Sequence, residues 1–256
     1  MRLPTPLLCL LALAAASRPA AAQDNNMGMP DGSRDLSGSV MAVSTPRSEG
    51  SRRRQFAVLP SASARWSNGL FADMGQLGWN IADGDPNFSY GPIATLELVQ
   101  RRSDDRSDKT TIALQGGAFA TYGFARGIAF SGETLYGGGP DHHGLRAIAA
   151  VNLTPFYGPH SAITLSPGLV WANASYMRSA FGIDAAQSAR SGLPMYEVHA
   201  GLKDVVLSGR WDWQITNKLS TSTILSLDHL VGTAAGSPLI ERRDGASLVF
   251  AFNWHF

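Results

Sequence analysis

From Leu36 to Phe256 the chain alternates apolar and polar positions in short runs, separated by Gly, Pro, Asn and Asp. In 144–156, Leu145, Ala147, Ala149, Val151 and Leu153 share one face, and Arg146 and Asn152 lie on the other. In 161–175, Ile163, Leu165, Leu169 and Trp171 oppose Thr164 and Ser166. The same holds in 205–215, where Val205, Leu207, Trp211, Trp213 and Ile215 oppose Ser208, Arg210, Asp212 and Gln214. In 88–102, Phe88, Tyr90, Leu96 and Leu98 oppose Ser89, Thr95 and Glu97. Period two sends successive side chains to opposite faces of a strand. One such run fits any half-buried sheet. A series of them, with no apolar stretch past residue 22 long enough for a spanning helix, is the signature of a transmembrane barrel.

The last run is the most distinctive. Leu248, Phe250, Phe252, Trp254 and the final Phe256 alternate with Val249, Ala251, Asn253 and His255. An aromatic face with no polar tail is unusual in a soluble protein. It resembles the C-terminal signal of outer-membrane barrels, which would make the barrel-assembly machinery a partner. Trp66, Trp79, Phe88, Tyr122, Tyr136, Phe156, Tyr157, Trp171, Tyr176 and Trp254 fall near run ends, as headgroup girdles require, although aromatics favour strands in any setting.

The pattern gives about eleven strand-like runs. Single-chain bacterial barrels have even numbers, so twelve strands are expected, with ten the alternative. The difficulty lies in 70–87, where Asp73 shares a face with Phe71, Leu77 and Trp79. The expected fold is all-β: a single antiparallel transmembrane barrel with both termini in the periplasm. Residues 182–194 break the pattern. Asp184 and Gln187 have the spacing of a capping box, Gly192 stops the helix and Pro194 follows. A short helix over about Ala185–Ser191 inside a long outer loop is predicted.

The first residues bear on the compartment. Arg2, the apolar run Leu7–Ala16, the break at Arg18-Pro19 and the small residues Ala20-Ala21-Ala22 form a secretory signal, with cleavage expected after Ala22. Residues 23–35 read as a flexible periplasmic leader and 36–256 as the barrel, placed in the outer membrane of a Gram-negative cell. Cleavage would remove Cys9, the one cysteine, and with it any disulfide or thiolate chemistry. Taking Arg2 and Arg18 from 21 basic residues leaves 19 against 20 acidic ones, a balance that argues against nucleic acid as a partner.

Several separate pieces then resemble one family. They are Ser175-Tyr176-Met177, Phe181-Gly182-Ile183, Ala189-Arg190-Ser191-Gly192-Leu193-Pro194 with Tyr196, and Gly201-Leu202-Lys203-Asp204. Glu49-Gly50-Ser51, Val58-Leu59-Pro60 with Arg65-Trp66, Gly236-Ser237-Pro238 and the aromatic last strand add to them. Together they are similar to the MipA/OmpV family (MltA-interacting protein, outer-membrane protein V), over roughly residues 36–256. The resemblance implies an integral outer-membrane barrel. For some members it implies a scaffold joining a periplasmic murein hydrolase to a murein synthase, for others adhesion or small-solute passage. Arg52-Arg53-Arg54 departs from the acidic or polar residues expected after Glu-Gly-Ser.

The candidate chemistry is sparse. The strand phases send Arg65, Glu97, Glu133, Arg146, Arg210, Asp212 and Asp228 to the lumen. There they would form a structural charge network or line a selective pore. Arg52, Arg53 and Arg54, in the loop before the second strand, are candidates for lipopolysaccharide phosphates. Asp141-His142-His143 lacks the spacing of a metal site. His229 and Asp228, as strand neighbours, point to opposite faces and cannot form a base–orienter pair. There is no Gly-x-Ser-x-Gly elbow and no nucleotide loop. No enzyme, cofactor or metal is expected. Two readings stand: an interaction protein bound to cell-wall machinery, or a channel, permeability or adhesion protein.

Overall fold

The computed structural model describes residues 29–81, 85–101, 109–137 and 144–256, without the side chains of 97–101 and 109–113. The expected signal segment, Cys9, the side chain of Glu97 and the pair His142-His143 lie outside the described residues.

Twelve strands form one closed antiparallel barrel. They are β1 (Arg34–Pro46), β2 (Arg54–Trp66), β3 (Leu70–Asp73), β4 (Gln76–Trp79), β5 (Phe88–Arg101) and β6 (Lys109–Ala125), followed by β7 (Ile128–Gly137), β8 (Gly144–Tyr157), β9 (Ser161–Ala172), β10 (Gly201–Thr216), β11 (Leu219–Leu230) and β12 (Asp244–His255). Each pairs with its sequence neighbours, and the aromatic strand β12 closes the ring against β1, from Ser37↔His255 to Ser44↔Leu248. Closure removes the free edges that a bilayer would leave unsatisfied, except where β2 and β5 run on past the short strands β3 and β4. No helix among the described residues is long and apolar enough to cross a membrane. Three short ones stand in the loops: α1 (Ala174–Phe181), α2 (Ala185–Ser191) and α3 (Gly232–Ala235).

Alternation decides which face each residue takes. Leu165, Leu169, Leu207, Trp211, Leu248 and Phe250 point outward and are exposed to the surroundings of the barrel. The inner face mixes small polar side chains with apolar ones. Asn152 donates to Ser131 at 2.9 Å and accepts from Ser166 at 2.8 Å, and Ser208 and Ser226 meet at 2.6 Å. Three apolar clusters lie between these polar pairs. Met41, Val43, Ala57, Ile224, Val249 and Ala251 form one, Phe71, Ile93 and Leu135 a second, and Ile148, Val170 and Val206 a third. All are withdrawn from solvent, so the interior is packed along these walls.

The ambiguous stretch 70–87 contains two strands of four residues each, which is why pattern counting fell one short. Asp73 pairs with Gln76 across a two-residue turn, Met74-Gly75. Both turn residues have positive φ, 46° and 81°, as a type I′ hairpin demands. The reversal resets the phase: Phe71 is buried inside, whereas Leu77 and Trp79 face out.

Two further points refine the sequence reading. The helix at Ala185–Ser191 forms with both halves of its capping box, Asp184 Oδ1 accepting from Gln187 N and Gln187 Oε1 from Asp184 N. A second helix, α1, precedes it. Tyr176 sits on α1 and packs inside the loop cluster, so it belongs to no aromatic girdle.

Candidate functional site

The loops at the end of the barrel away from the N-terminal start of β1, the end expected to face outward, interlock into a lid. The first is the β1–β2 loop, residues 47–53. Gly50 O accepts from both Glu241 N and Arg242 N at 3.0 Å, and Arg52 N donates to Glu241 Oε2 at 2.8 Å. Gly50 has φ +72°, and a Cβ there would meet Ile240 Cδ1 at 2.5 Å, so the clasp requires glycine.

The second is the β9–β10 loop. Asn173 caps α1 through Tyr176 N. Met177 and Phe181 on the buried side of α1 join Ala172, Val198, Leu230 and Ala234 in a core separate from the barrel interior. The third is the β11–β12 loop, residues 231–243. Ser237 Oγ donates to Phe181 O at 2.6 Å, and Tyr196 OH donates to Thr233 O at 2.9 Å. Ile183 and Tyr196 exchange backbone bonds at 3.0 Å.

Beneath this core lies one buried cation. The β9–β10 ladder slips by one residue between Leu202 and Asp204, which makes Lys203 a bulge residue. In strict alternation Lys203 would face the lipid. The bulge turns it inward beside Asp204. Lys203 is 2% exposed. Its Nζ donates to Glu49 Oε1 at 2.7 Å and to Asp204 Oδ2, and lies about 6 Å from the ring centres of Tyr176 and Phe181. Asp204 Oδ1 is buried with no hydrogen-bond partner. Asp228 approaches from β11, fitting against Gly245, where a Cβ would meet its carboxylate at 2.2 Å. A desolvated ammonium among carboxylates and aromatic rings ties two of these loops, through Glu49 and through Tyr176 and Phe181, to the barrel wall.

Several of the scattered family pieces therefore converge, whereas Val58-Leu59-Pro60 and Arg65-Trp66 lie along β2 and the aromatic run along β12. Glu49-Gly50 supplies the clasp and one carboxylate, and Tyr176 and Phe181 supply the rings. Gly192, at φ 72°, ends α2, Ser191 Oγ donates to Gln187 O at 2.7 Å, and Leu193 O accepts from Ser188. Pro194 is exposed, and Gly201-Leu202 opens β10 ahead of Lys203-Asp204. The role of Glu49 as a partner of Lys203 has no signature in the sequence, because 154 positions separate them.

The other singled-out residues occupy different places. Arg210 Nε donates to Asp212 Oδ2 at 2.7 Å, and Asp212 Oδ1 accepts from Ser222 Oγ at 2.6 Å, a closed network inside the wall. Glu133 and Arg146 are buried on adjacent inner faces of β7 and β8, and Arg65 faces inward on β2. Arg52 and Arg53 have exposed side chains on the rim at the lid end. Arg54 instead folds back on the wall, donating to Ser44 Oγ and Ala246 O at 3.0 Å. His229 Nδ1 lies 2.7 Å from Asp244 Oδ1 at the exposed rim. Among the described residues no group of three or more His, Cys, Asp or Glu could hold a metal.

The model of the MltA-interacting protein MipA family matches residues 39–256, nearly all of the barrel and its lid. The chain belongs to the MipA family. Among proteins with curated descriptions none matches this MipA-family chain. Solved structures of outer-membrane barrels resemble it distantly. One described as a bacterial polysaccharide outer membrane secretin has 11% identity and TM-score 0.46, over 86% of this chain and 98% of that one. An outer membrane channel from Pseudomonas putida F1 has 11% identity and TM-score 0.45, over 90% and 97%. The translocator domain of autotransporter NalP from Neisseria meningitidis has 10% identity and TM-score 0.42, over 98% and 96%. Family membership together with the closed antiparallel barrel makes this an outer-membrane β-barrel protein, and likeness to solved structures at this level says nothing of what it binds or passes.

Proposed function

We propose that this MipA-family barrel is a non-catalytic interaction protein of the outer membrane, linked to murein machinery through its periplasmic turns or leader. The observation that carries the reading is the lid. Three loops are latched over the outer mouth by Lys203, Gly50 and Ser237, above an interior packed with side chains. Such a barrel is built to hold a shape. The family's name, MltA-interacting, supports a periplasmic murein hydrolase as partner, with a murein synthase as a further one. The aromatic face of β12 supports recognition by the barrel-assembly machinery. Arg52 and Arg53 support contact with lipopolysaccharide phosphates at the outer rim.

The test is single-channel recording in planar bilayers, with folding checked by heat-modifiable gel mobility. A silent bilayer together with a murein hydrolase recovered from periplasmic pull-downs is the expected result. Unitary, salt-dependent steps whose ion preference reverses in Arg210→Glu would replace the scaffold by a channel.

A further inference from the structure

The hairpin β3–β4 is too short for the wall it belongs to. Four residues of strand rise only about 13 Å, and a tilted strand needs about 9–11 residues to cross a bilayer. Its neighbours β2 and β5 have 13 and 14 residues. β3 reaches β2 only at Ser63–Arg65, and β4 reaches β5 only at Ile93–Thr95, with Leu96 N bonding to Gly75 O just above. Beyond that point the strand ladder of β2 from Ala62 to Arg54 is with β1, and that of β5 up to Arg101 is with β6. Among the described residues no ladder joins β2 to β5. Among the described residues that half of the wall therefore has a notch two strands wide, about 14 Å between flanking strands at the usual spacing. Pro60, which has no N–H to leave unpaired, sits on the free edge of β2.

The notch connects two apolar surfaces. Outside, Phe56 and Val58 on the edge strand are 63% and 57% exposed, facing the membrane. Inside, the cluster Met41, Val43, Ala57, Ile224, Val249 and Ala251 lies on the same side of the barrel, and Leu59 and Met74 pack against it. Met74 is the tip of the short hairpin. It holds φ 46°, a conformation that costs a non-glycine residue about 1–2 kcal/mol, while its flexible side chain packs against this cluster at the foot of the notch.

We propose that the notch above Met74 is a lateral opening that seats the acyl chain of an outer-leaflet lipid against the inner apolar cluster, with Met74 as its movable stopper. The surrounding bilayer supplies the occupant, and the apolar path from Val58 through Leu59 to the cluster gives it continuous burial. A polar ligand has no comparable path there. The lid latches the axial mouth, so the notch brings the interior into contact with lipid rather than with outside water.

Nitroxide labels on single cysteines test this in the full chain, folded into dimyristoyl phosphatidylcholine vesicles. Leu59→Cys reads the notch, Val58→Cys the lipid-facing side, and Ala150→Cys an inward position on the far wall. Collision with lipid-soluble oxygen at position 59 should match that at 58 within twofold and exceed that at 150 several-fold, with little collision with a water-soluble nickel chelate. Oxygen collision at 59 no higher than at 150 would overturn the proposal, as would nickel collision exceeding oxygen, which marks a water-filled gap. Should Leu59→Cys not fold, Met74→Cys reads the same opening by the same criteria.

Discussion

Removing the ammonium at the centre of the lid should open the lid without unfolding the barrel. Lys203→Met keeps most of the side-chain length and leaves Asp204 buried and unpaired. Breaking a buried pair by removing one partner typically costs about 3–5 kcal/mol. The Asp204 side of the pair carries most of that, because its side chain is 8% exposed, whereas Glu49 at 37% is half-solvated and contributes little. The orphaned carboxylate takes up a proton, which holds the loss near the lower figure.

About 3 kcal/mol corresponds to roughly a 100-fold rise in the population of the open lid, at about 1.4 kcal/mol per tenfold. The assay is limited trypsin digestion at Arg178, on α1, in protein folded into vesicles. When reclosing is faster than cleavage, the cutting rate follows that population. The double variant Lys203→Met/Asp204→Leu removes the stranded charge and should recover most of the protection. Cleavage at Arg178 within threefold of the parent in the single variant, or equal rates in the single and double variants, would refute the argument that this ion pair holds the lid.

Gly50→Ala should also speed cleavage at Arg178, by roughly tenfold or more, because a left-handed backbone without glycine costs about 1–2 kcal/mol and Ile240 must shift. Met74→Asn places the preferred Asn-Gly pair in the type I′ turn. It should raise the urea midpoint, followed by tryptophan fluorescence, by the equivalent of a few tenths of a kcal/mol or more; a lower midpoint would mean that Met74 packing outweighs the turn. Phe256→Ala should slow assembly by the barrel-assembly machinery in proteoliposomes but barely move the urea midpoint, since this ring is 83% exposed. Arg52→Gln/Arg53→Gln should lower the lipid A that co-purifies, measured by mass spectrometry, and unchanged retention would remove those arginines as phosphate contacts.

Much of this architecture was readable one strand at a time. Alternation in 144–156, 205–215 and 161–175, the last only as far as Ala172 because Asn173 caps α1, assigns inward and outward faces that the barrel reproduces, since period two is a property of extended backbone and needs no partner. Asp184, Gln187 and Gly192 announced α2 for the same reason: a capping box and a left-handed stop are local chemistry. The aromatic run in 248–256 likewise marked the strand that closes the ring.

What tertiary structure decided lies where one strand depends on the register of another. Lys203 reads as lipid-facing until the ladder with β9 slips and turns it inward. Glu49 becomes its partner only because closure brings the β1–β2 loop beside β10. The hairpin β3–β4 loses its phase to a turn at Met74-Gly75, and its shortness matters only against the full-length strands on either side. Hydropathy periodicity records which face a residue takes, whereas bulges, loop clasps and a gap in the wall are set by hydrogen-bond register between distant segments, which no local pattern carries.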